Sequence, residues 1–104
     1  MTEEWRDLED FPNYQASTHG RIRRINNYAK TKKPGPWVIL KHVINEHGTA
    51  RVMLSVNGFR TRHSVRRLVC CAFHGTRDGD WHVRFKNDNR HDISAGNLYW
   101  VRKR

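Results

Sequence analysis

Residues 51–73 have the sequence RVMLSVNGFRTRHSVRRLVCCAF, and the spacing of their apolar side chains changes once along this stretch. Up to His63, apolar and polar side chains alternate, as they do in strands that bury one face. The Asn57–Gly58 pair interrupts this alternation, and the dipeptide favours the tight turn of a β-hairpin. We therefore predict two antiparallel strands, at residues 51–55 and 59–63, joined by a two-residue turn.

After the second strand the apolar period lengthens to about 3.6 residues, the repeat of an α-helix. The side chains that share one face of this helix are Val65, Leu68, Val69, Ala72 and Phe73. Ser64 is a suitable N-cap residue, and Gly75 is a suitable stop. The pattern predicts one short helix between these two residues, with Cys70 off its apolar face.

Weaker patterns predict the elements nearer the N-terminus. Residues 4–10 place Trp5 and Leu8 at helical or turn spacing. The turn signal at residues 18–20 lies between two short apolar runs and predicts a hairpin. Residues 26–35 are polar and basic and end in a Pro-Gly pair, so we predict a loop there, followed by a strand that begins at Trp37.

The last third of the sequence predicts a further hairpin, with strands at residues 81–85 and 98–101 around a polar loop at residues 86–96. Together these elements predict an α+β fold of short antiparallel β-hairpins with one or two short helices. A length of 104 residues is enough for one compact domain. We therefore expect residues 1–104 to form a single domain.

The charge of the chain predicts a polyanionic partner. Twenty Lys and Arg residues against ten Asp and Glu residues give a formal net charge of +10. Such an imbalance destabilises a small domain by self-repulsion, so it usually serves the binding of an anion. Nucleic acid is the first candidate. A membrane partner is disfavoured because no apolar run approaches the roughly 18 residues of a spanning helix.

The N-terminal segment bears on localisation. Residues 1–10 are acidic and contain Trp5, unlike a signal or transit peptide. We therefore expect a cytoplasmic protein, located in the host cytoplasm or nucleoid if a phage encodes it.

Three segments of the sequence resemble one family. Residues 5–25, WRDLEDFPNYQASTHGRIRRI, resemble the nuclease-associated modular domain that opens phage-encoded HNH homing endonucleases. Residues 65–73 resemble the V-H-R-L-V-A-x-x-F helix of those enzymes. Residues 83–101, VRFKNDNRHDISAGNLYWV, resemble their V-D-H-K-D-G-N-x-x-D-N-x-x-x-N-L-x-W-V segment. The resemblance implies a module-like hairpin region at residues 1–55 and a degenerate HNH-like region at residues 56–104.

The sequence departs from the family at the positions that carry catalysis. Arg84 and Phe85 stand where the family has an Asp-His pair that supplies a metal ligand and a general base. Phenylalanine accepts no proton, and a guanidinium repels a divalent cation. Arg66 replaces the histidine of V-H-R-L, whereas the asparagine of N-L-x-W is retained as Asn97. We therefore predict that no residue here is catalytic.

The end of the sequence favours the same prediction. The chain stops at Arg104, four residues after Trp100. The family's ββα-metal unit continues with a helix, and an isolated helix needs about a dozen residues to be even marginally stable. We therefore expect an incomplete ββα-metal-like region, unless a partner chain supplies the missing helix. The oligomeric state stays open.

The loop between the last two strands contains the remaining candidate metal ligands, Asp88, His91 and Asp92. An Asn- and Asp-rich stretch more simply forms a turn whose side chains bond its own backbone. His82 lies three positions before Phe85, so alternation places these two side chains on opposite faces of the strand. We predict no metal and no cofactor, with Mg²⁺ only if the chain nicks DNA at a relocated site.

The basic residues predict a nucleic-acid-binding surface made mainly of phosphate contacts, and the resemblance implies double-stranded DNA. The candidates are Arg21, Arg23, Arg24, Lys30, Lys32, Lys33, Arg66, Arg84, Lys86, Arg90, Arg102, Lys103 and Arg104. Five aromatic residues lie on apolar sides of predicted elements, so we expect them in the core: Trp5, Trp37, Phe59, Phe73 and Trp100.

Three functions follow as hypotheses. The first is a DNA-binding protein derived from an HNH homing endonuclease that has lost catalysis, such as a phage regulator. The second is an active metal-dependent nickase with a relocated site, which would lose activity on changes at Asp88 or Asp92. The third is a phage-encoded inhibitor or modulator that binds a host protein or nucleoprotein complex.

Overall fold

The fold was analysed in a computed structural model that describes residues 2–25 and 37–103. Its strands are β1 (Trp5–Asp7), β2 (Tyr14–Ser17), β3 (Ile22–Ile25), β4 (Trp37–Ile39), β5 (Val43–Ile44), β6 (Ala50–Val56), β7 (Phe59–Ser64), β8 (Trp81–Phe85) and β9 (Leu98–Arg102). Helix α1 (Val65–His74) follows β7, and a short 3-10 helix (Ala95–Asn97) precedes β9. The loop predicted at residues 26–35 lies outside the described residues.

The described strands pair antiparallel in three sheets, with strand orders β1-β2-β3-β4, β5-β6-β7 and β8-β9. The turn between β6 and β7 is the predicted Asn57–Gly58 pair, and both residues have positive φ, of 53° and 83°. The hairpins predicted around residues 18–20 and 86–96 are present as β2–β3 and β8–β9. The predicted α+β class, with short hairpins and one α-helix among the described residues, is confirmed.

Helix α1 begins and ends where the sequence predicted. The Ser64 hydroxyl accepts a hydrogen bond from the Arg67 backbone N–H at 3.4 Å, and Gly75 ends the helix with φ of 87°. Cys70, which lies off the predicted apolar stripe, is also buried. The helix packs against β2, β6 and β9, so its buried arc is wider than one apolar stripe. Burial raises the pKa of the Cys70 thiol to about 12.

The prediction of a helix or turn over residues 4–10 is wrong for the first part of that segment. Residues Trp5–Asp7 form β1, the edge strand of the first sheet, with Trp5 opposite Ser17. Pairing with β2 satisfies the backbone of this segment, whereas a helix this short would be unstable on its own. A turn follows the strand, and the Leu8 N–H returns to the Tyr14 carbonyl at 3.1 Å.

One cluster of buried side chains joins the three sheets and the helix. Its members are Leu8, Tyr14, Ala16, Ile22, Val52, Leu54, Val65, Leu68, Val69, Cys70, Ala95 and Leu98. The first hairpin turn also packs on the β8–β9 loop, because a Cβ added at Gly20 would lie 2.7 Å from Ile93 Cγ1. The Ala95 N–H donates to the Thr18 carbonyl at 2.9 Å across the same contact. The two halves of the sequence therefore share one core.

Candidate functional site

The β8–β9 loop is closed by the buried side chain of Asn97, which is 7% exposed. Its Oδ1 accepts from the Asn87 backbone N–H at 3.2 Å, and its Nδ2 donates to the Asp92 carbonyl at 2.9 Å. The amide therefore uses both ends to hold the loop against the start of β9. Asn97, the residue that the family resemblance marks as retained, has this positioning role in the described structure.

Side chains of the same loop bond its own backbone, as the sequence predicted. Asn87 Oδ1 accepts from the Asn89 N–H at 2.9 Å, and Asn89 Oδ1 accepts from the His91 N–H at 3.1 Å. The Asp92 carboxylate accepts from the Ser94 hydroxyl at 2.6 Å and from the Ser94 N–H at 3.3 Å. These hydrogen bonds from Ser94 lower the pKa of Asp92. The loop is thus held by internal hydrogen bonds.

A cleft of about 370 Å³ lies between the first turn of α1, strand β8 and this loop. We call it the cationic cleft, and its lining residues are Arg66, His82, Val83, Arg84, Phe85, Asp88 and Arg90. It brings together three of the predicted phosphate ligands from three separate elements. Three arginines and one aspartate therefore line the same cleft.

Arg66 is a partly buried cation of the cationic cleft. Its guanidinium lies 5.7 Å from the centroid of the Phe85 ring, in a cation–π contact. Partial burial lowers the pKa of Arg66, and the nearby charge of Arg90 lowers it further. Two cations held close together in a partly buried place are stabilised by an anion between them. The arrangement suits a phosphate group.

Strand β8 arranges the rest of the cleft by alternation. Val83 and Phe85 pack against the core, and Phe85 pairs with the buried Leu98. His82 and Arg84 lie on the other face, where Arg84 Nε donates to His82 Nε2 at 3.4 Å. His82 and Phe85 therefore lie on opposite faces, as predicted.

The lining of the cleft does not fit the divalent cation that the family resemblance implies. A magnesium ion prefers several oxygen ligands in octahedral geometry. Here Asp88 is the one carboxylate among the lining residues and shares the cleft with three arginines, and Phe85 offers no ligand atom. Within residues 2–25 and 37–103, no group of three or more His, Cys, Asp or Glu side chains lies close enough to hold a metal.

A second basic surface, which the sequence analysis largely missed, is formed by one face of the β5–β6–β7 sheet, with Arg24 of β3 and Lys41 before β5 beside it. We call it the outer sheet face, and it consists of Arg24, Lys41, Arg51, Met53, Ser55, Arg60 and Arg62. Met53 lies opposite Arg62 and Ser55 lies opposite Arg60, so these side chains share a face. Shallow clefts of about 210 Å³ and about 350 Å³ meet at Met53. Arg60 and Arg62 are two residues apart on a predicted strand, and this spacing could have indicated from the sequence that both lie on one face.

The first predicted arginine cluster is largely engaged within the first sheet. Arg21 Nε donates to a Glu3 carboxylate oxygen at 2.8 Å, and Arg21 lowers the pKa of Glu3 to about 2. The Arg23 guanidinium lies between two indole rings, 4.1 Å from the centroid of Trp5 and 4.3 Å from that of Trp37. Arg24 alone of the three lies on the outer sheet face.

The position of Arg23 between Trp5 and Trp37 corrects the prediction that all five aromatic residues lie in the core. Trp5 and Trp37 lie on the partly exposed side of the first sheet. They pack on the Arg23 guanidinium between them, not on the buried core. Phe59 is 77% exposed at the β6–β7 turn. Phe73 and Trp100 are partly buried and pack on the core.

The remaining predicted cations are spread along the chain. Lys86 is exposed beside the β8–β9 loop, and Arg102 and Lys103 are exposed at the opposite end of that hairpin, where Arg102 pairs with Trp81. The cationic cleft therefore does not include these three residues. Lys30, Lys32, Lys33 and Arg104 lie outside the described residues.

Another arginine has a structural role that the sequence did not indicate. The Arg67 guanidinium donates to the carbonyls of Trp81, Arg77 and Asp78 at 2.9, 3.1 and 2.8 Å. These bonds hold the segment before β8 against α1.

Among the described residues, no helix is both long and apolar enough to cross a membrane.

Comparisons with known proteins agree with the resemblance found in the sequence. The NUMOD4 motif matches residues 3–55, which are 53 of the 104 residues. No curated protein matches the chain. The solved structure of I-HmuI, an HNH homing endonuclease that binds and cleaves DNA, superposes with a TM-score of 0.76 at 31% sequence identity.

That similarity extends over 95% of this chain and 52% of the I-HmuI chain. The chain thus spans about half the length of that enzyme. Because the family motif covers half of the sequence and the fold agrees with it, the chain belongs to the NUMOD4 family and is a relative of the phage-type HNH homing endonucleases.

Proposed function

We propose that the chain binds double-stranded DNA without cleaving it at the HNH position. The observation that carries the proposal is the cationic cleft, where Arg66 and Arg84 occupy the positions of family catalytic groups and Arg90 joins them. The similarity of the fold to I-HmuI, which binds DNA, supports the same partner.

The chemistry of the cleft supports phosphate binding. Guanidinium groups donate paired hydrogen bonds to phosphate oxygens, and such bonds between charged groups are among the strongest in proteins. An anion in the cleft would also relieve the repulsion between Arg66 and Arg90. Phosphate contacts supply most sequence-independent affinity for DNA, and they position a protein on the duplex.

The outer sheet face supports a second set of contacts. It presents Arg24, Lys41, Arg51, Arg60 and Arg62 around Met53 and Ser55. The major groove of B-DNA is about 12 Å wide and admits a two-stranded β-ribbon. Because β6 and β7 form such a ribbon, this face can approach phosphates on both sides of a groove while its shorter side chains face the bases.

The proposed loss of cleavage follows from the residue types in the cleft. Hydrolysis of a phosphodiester at an HNH site needs a general base and a carboxylate-bound metal. Phe85 accepts no proton, and Arg84 repels a cation. A protein that occupies DNA without cutting it can compete with other proteins for the same sequence, which is the basis of the regulatory role that we propose for a phage-encoded chain.

The test is incubation of the purified protein with supercoiled plasmid in Mg²⁺ or Mn²⁺, with EDTA as the control. We expect a mobility shift in all three conditions and no nicked circles. Metal-dependent nicking that persists after repurification would contradict the loss of cleavage. The absence of any shift at low salt would contradict DNA binding and would favour a host protein as the partner.

A further inference from the structure

The tip of the β6–β7 hairpin carries an aromatic side chain outside the core. Phe59 pairs with Val56 across the turn, so these two side chains lie on the same face of the hairpin. Leu54, two residues before Val56 on β6, lies on that face as well. Leu54 is fully buried on that face, whereas Phe59 is 77% exposed. The hairpin therefore extends past the edge of the core and presents Phe59 at its end.

The backbone holds this ring in a defined place. Asn57 and Gly58 are the two residues of the turn, and their φ angles of 53° and 83° are those of a left-handed two-residue hairpin turn. Such a short turn leaves the strand ends little freedom to move. The backbone of an aromatic residue directly after it therefore loses little conformational freedom when the residue binds a partner.

The hairpin that carries Phe59 is cationic, with its arginines on the face opposite the ring. The hairpin at residues 50–64 contains Arg51, Arg60 and Arg62 and has neither Asp nor Glu. Single exposed apolar residues are common and need no explanation by themselves. An aromatic ring at the end of a rigid, purely cationic hairpin matches a partner that combines negative charge with flat apolar surfaces. Nucleobases within a phosphate backbone have this combination.

We propose that Phe59 inserts its ring at a base step of bound duplex DNA as an aromatic wedge. Apolar side chains inserted between base pairs partly unstack the step and unwind or kink the duplex, as the wedges of minor-groove proteins do. Here the ring would enter from the groove that the β6–β7 hairpin occupies. Arg60 and Arg62 follow Phe59 along β7 on the opposite face of the hairpin, where they can hold phosphates of the same duplex. This inference rests on the proposed DNA binding and adds its mode.

The test measures unwinding and needs no knowledge of a recognition sequence. Closed circular plasmid is relaxed by a type I topoisomerase in the presence of the protein, and the topoisomers are resolved after the protein is removed. We expect the wild-type protein to leave negatively supercoiled topoisomers, because unwinding by the wedge is fixed during relaxation. Phe59→Ala should remove this shift at a concentration that gives the same plasmid occupancy.

Two further variants separate the wedge from general binding. Phe59→Trp keeps a flat ring and should retain the shift. Ile44→Ala removes an exposed apolar side chain, 60% exposed on β5, and should leave the shift unchanged. We also expect Phe59→Ala to weaken binding by about tenfold, the typical effect of removing one stacked aromatic ring.

Three results would overturn the inference. Equal topoisomer shifts for wild type and Phe59→Ala at matched occupancy would show that unwinding does not depend on the ring. If the wild-type protein binds the plasmid without shifting the topoisomers, the wedge is contradicted and the proposed DNA binding stands. The same result is expected if Phe59 instead contacts an acidic protein. A protein that binds no DNA would overturn both this inference and the proposed function.

Discussion

The guanidinium of Arg66 on helix α1 stacks on the ring of Phe85 on strand β8, 5.7 Å from its centroid. Both residues stand where the family resemblance implies catalytic groups, and both line the cationic cleft. At position 85 a ring that supports a cation thus takes the place of a proton acceptor. This pairing is the basis of our proposal that a surface related to that of a nuclease holds a phosphate without attacking it.

The outer sheet face can be tested with neighbouring residues of β7. We expect Arg62→Ala to weaken duplex binding by about three- to tenfold, because it removes one charged group that would bind a phosphate. Thr61→Ala is the matched control, since Thr61 is exposed and pairs with the buried Leu54 on the opposite face. Fluorescence anisotropy with a labelled duplex measures both. Equal decreases in affinity for the two variants would argue against a role for this face.

Replacing Gly20 by alanine should strongly destabilise the folded protein. Its φ is 84°, and an added Cβ would lie 2.7 Å from Ile93 Cγ1 and 2.8 Å from the Ile93 carbonyl oxygen. We expect Gly20→Ala to lower the free energy of unfolding by about 2 to 4 kcal/mol. Gly58→Ala is the control, because φ there is 83° and a Cβ would meet nothing within 4 Å.

The control should be destabilised by about 1 kcal/mol, the cost of a left-handed backbone alone. Urea unfolding followed by tryptophan fluorescence measures both variants. If Gly20→Ala were as stable as Gly58→Ala, the packing of the first hairpin turn on Ile93 would be disproved.

Asn97 should stabilise the loop that borders the cationic cleft. We expect Asn97→Ala to reduce the free energy of unfolding by about 1 to 3 kcal/mol, because the Asn87 N–H and the Asp92 carbonyl would be left without this partner. Hydrogen exchange at the Asn87 amide should accelerate. Lys86→Ala, at an exposed position beside the same loop, should change both quantities less. An unchanged exchange rate at Asn87 in Asn97→Ala would contradict this account.

The ion pair between Glu3 and Arg21 predicts a stability change in acid. The hydrogen bond from Arg21 lowers the pKa of Glu3 from 4.5 to about 2. A lowered folded-state pKa gives stability that is present above the unfolded pKa and is lost as the pH falls towards the folded pKa. The stability difference between wild type and Glu3→Gln should therefore shrink between pH 4.5 and about 2.

Glu46→Gln is the control for this titration, because Glu46 is on the surface beside His47 and its side chain is 86% exposed. The comparison separates the effect of the Glu3–Arg21 ion pair from that of removing an exposed carboxylate. A Glu3→Gln difference that stays constant with pH would show that the ion pair does not form in solution.

Local patterns in the sequence predicted most of the fold. The Asn57–Gly58 turn, the Ser64 cap and the helical stripe that follows depend on residues within a few positions of each other. The β8–β9 hairpin was likewise visible, and alternation correctly separated His82 from Phe85. Such features are set by backbone preferences and by one buried face.

The features that the sequence did not predict depend on packing between distant segments. Arg23 is held between Trp5 and Trp37, which the paired strands of the first sheet bring together. The outer sheet face joins Arg24 to Arg60 through the packing of two sheets. The three arginines of the cationic cleft were each predicted, but only tertiary structure shows that they meet while Arg102 lies elsewhere.

The central claim is that the cationic cleft binds DNA phosphate, and the salt dependence of affinity tests it most directly. The measurement is the logarithm of Kd for a labelled duplex against the logarithm of salt concentration, for wild type and for the Arg66→Ala, Arg90→Ala double variant. Arg6→Gln combined with Arg77→Gln, both outside the cationic cleft, controls for the removal of two positive charges. We predict that the slope of the double variant is smaller by about 0.9 for each phosphate that the variant no longer neutralises. A double variant with the wild-type slope and affinity would contradict the claim.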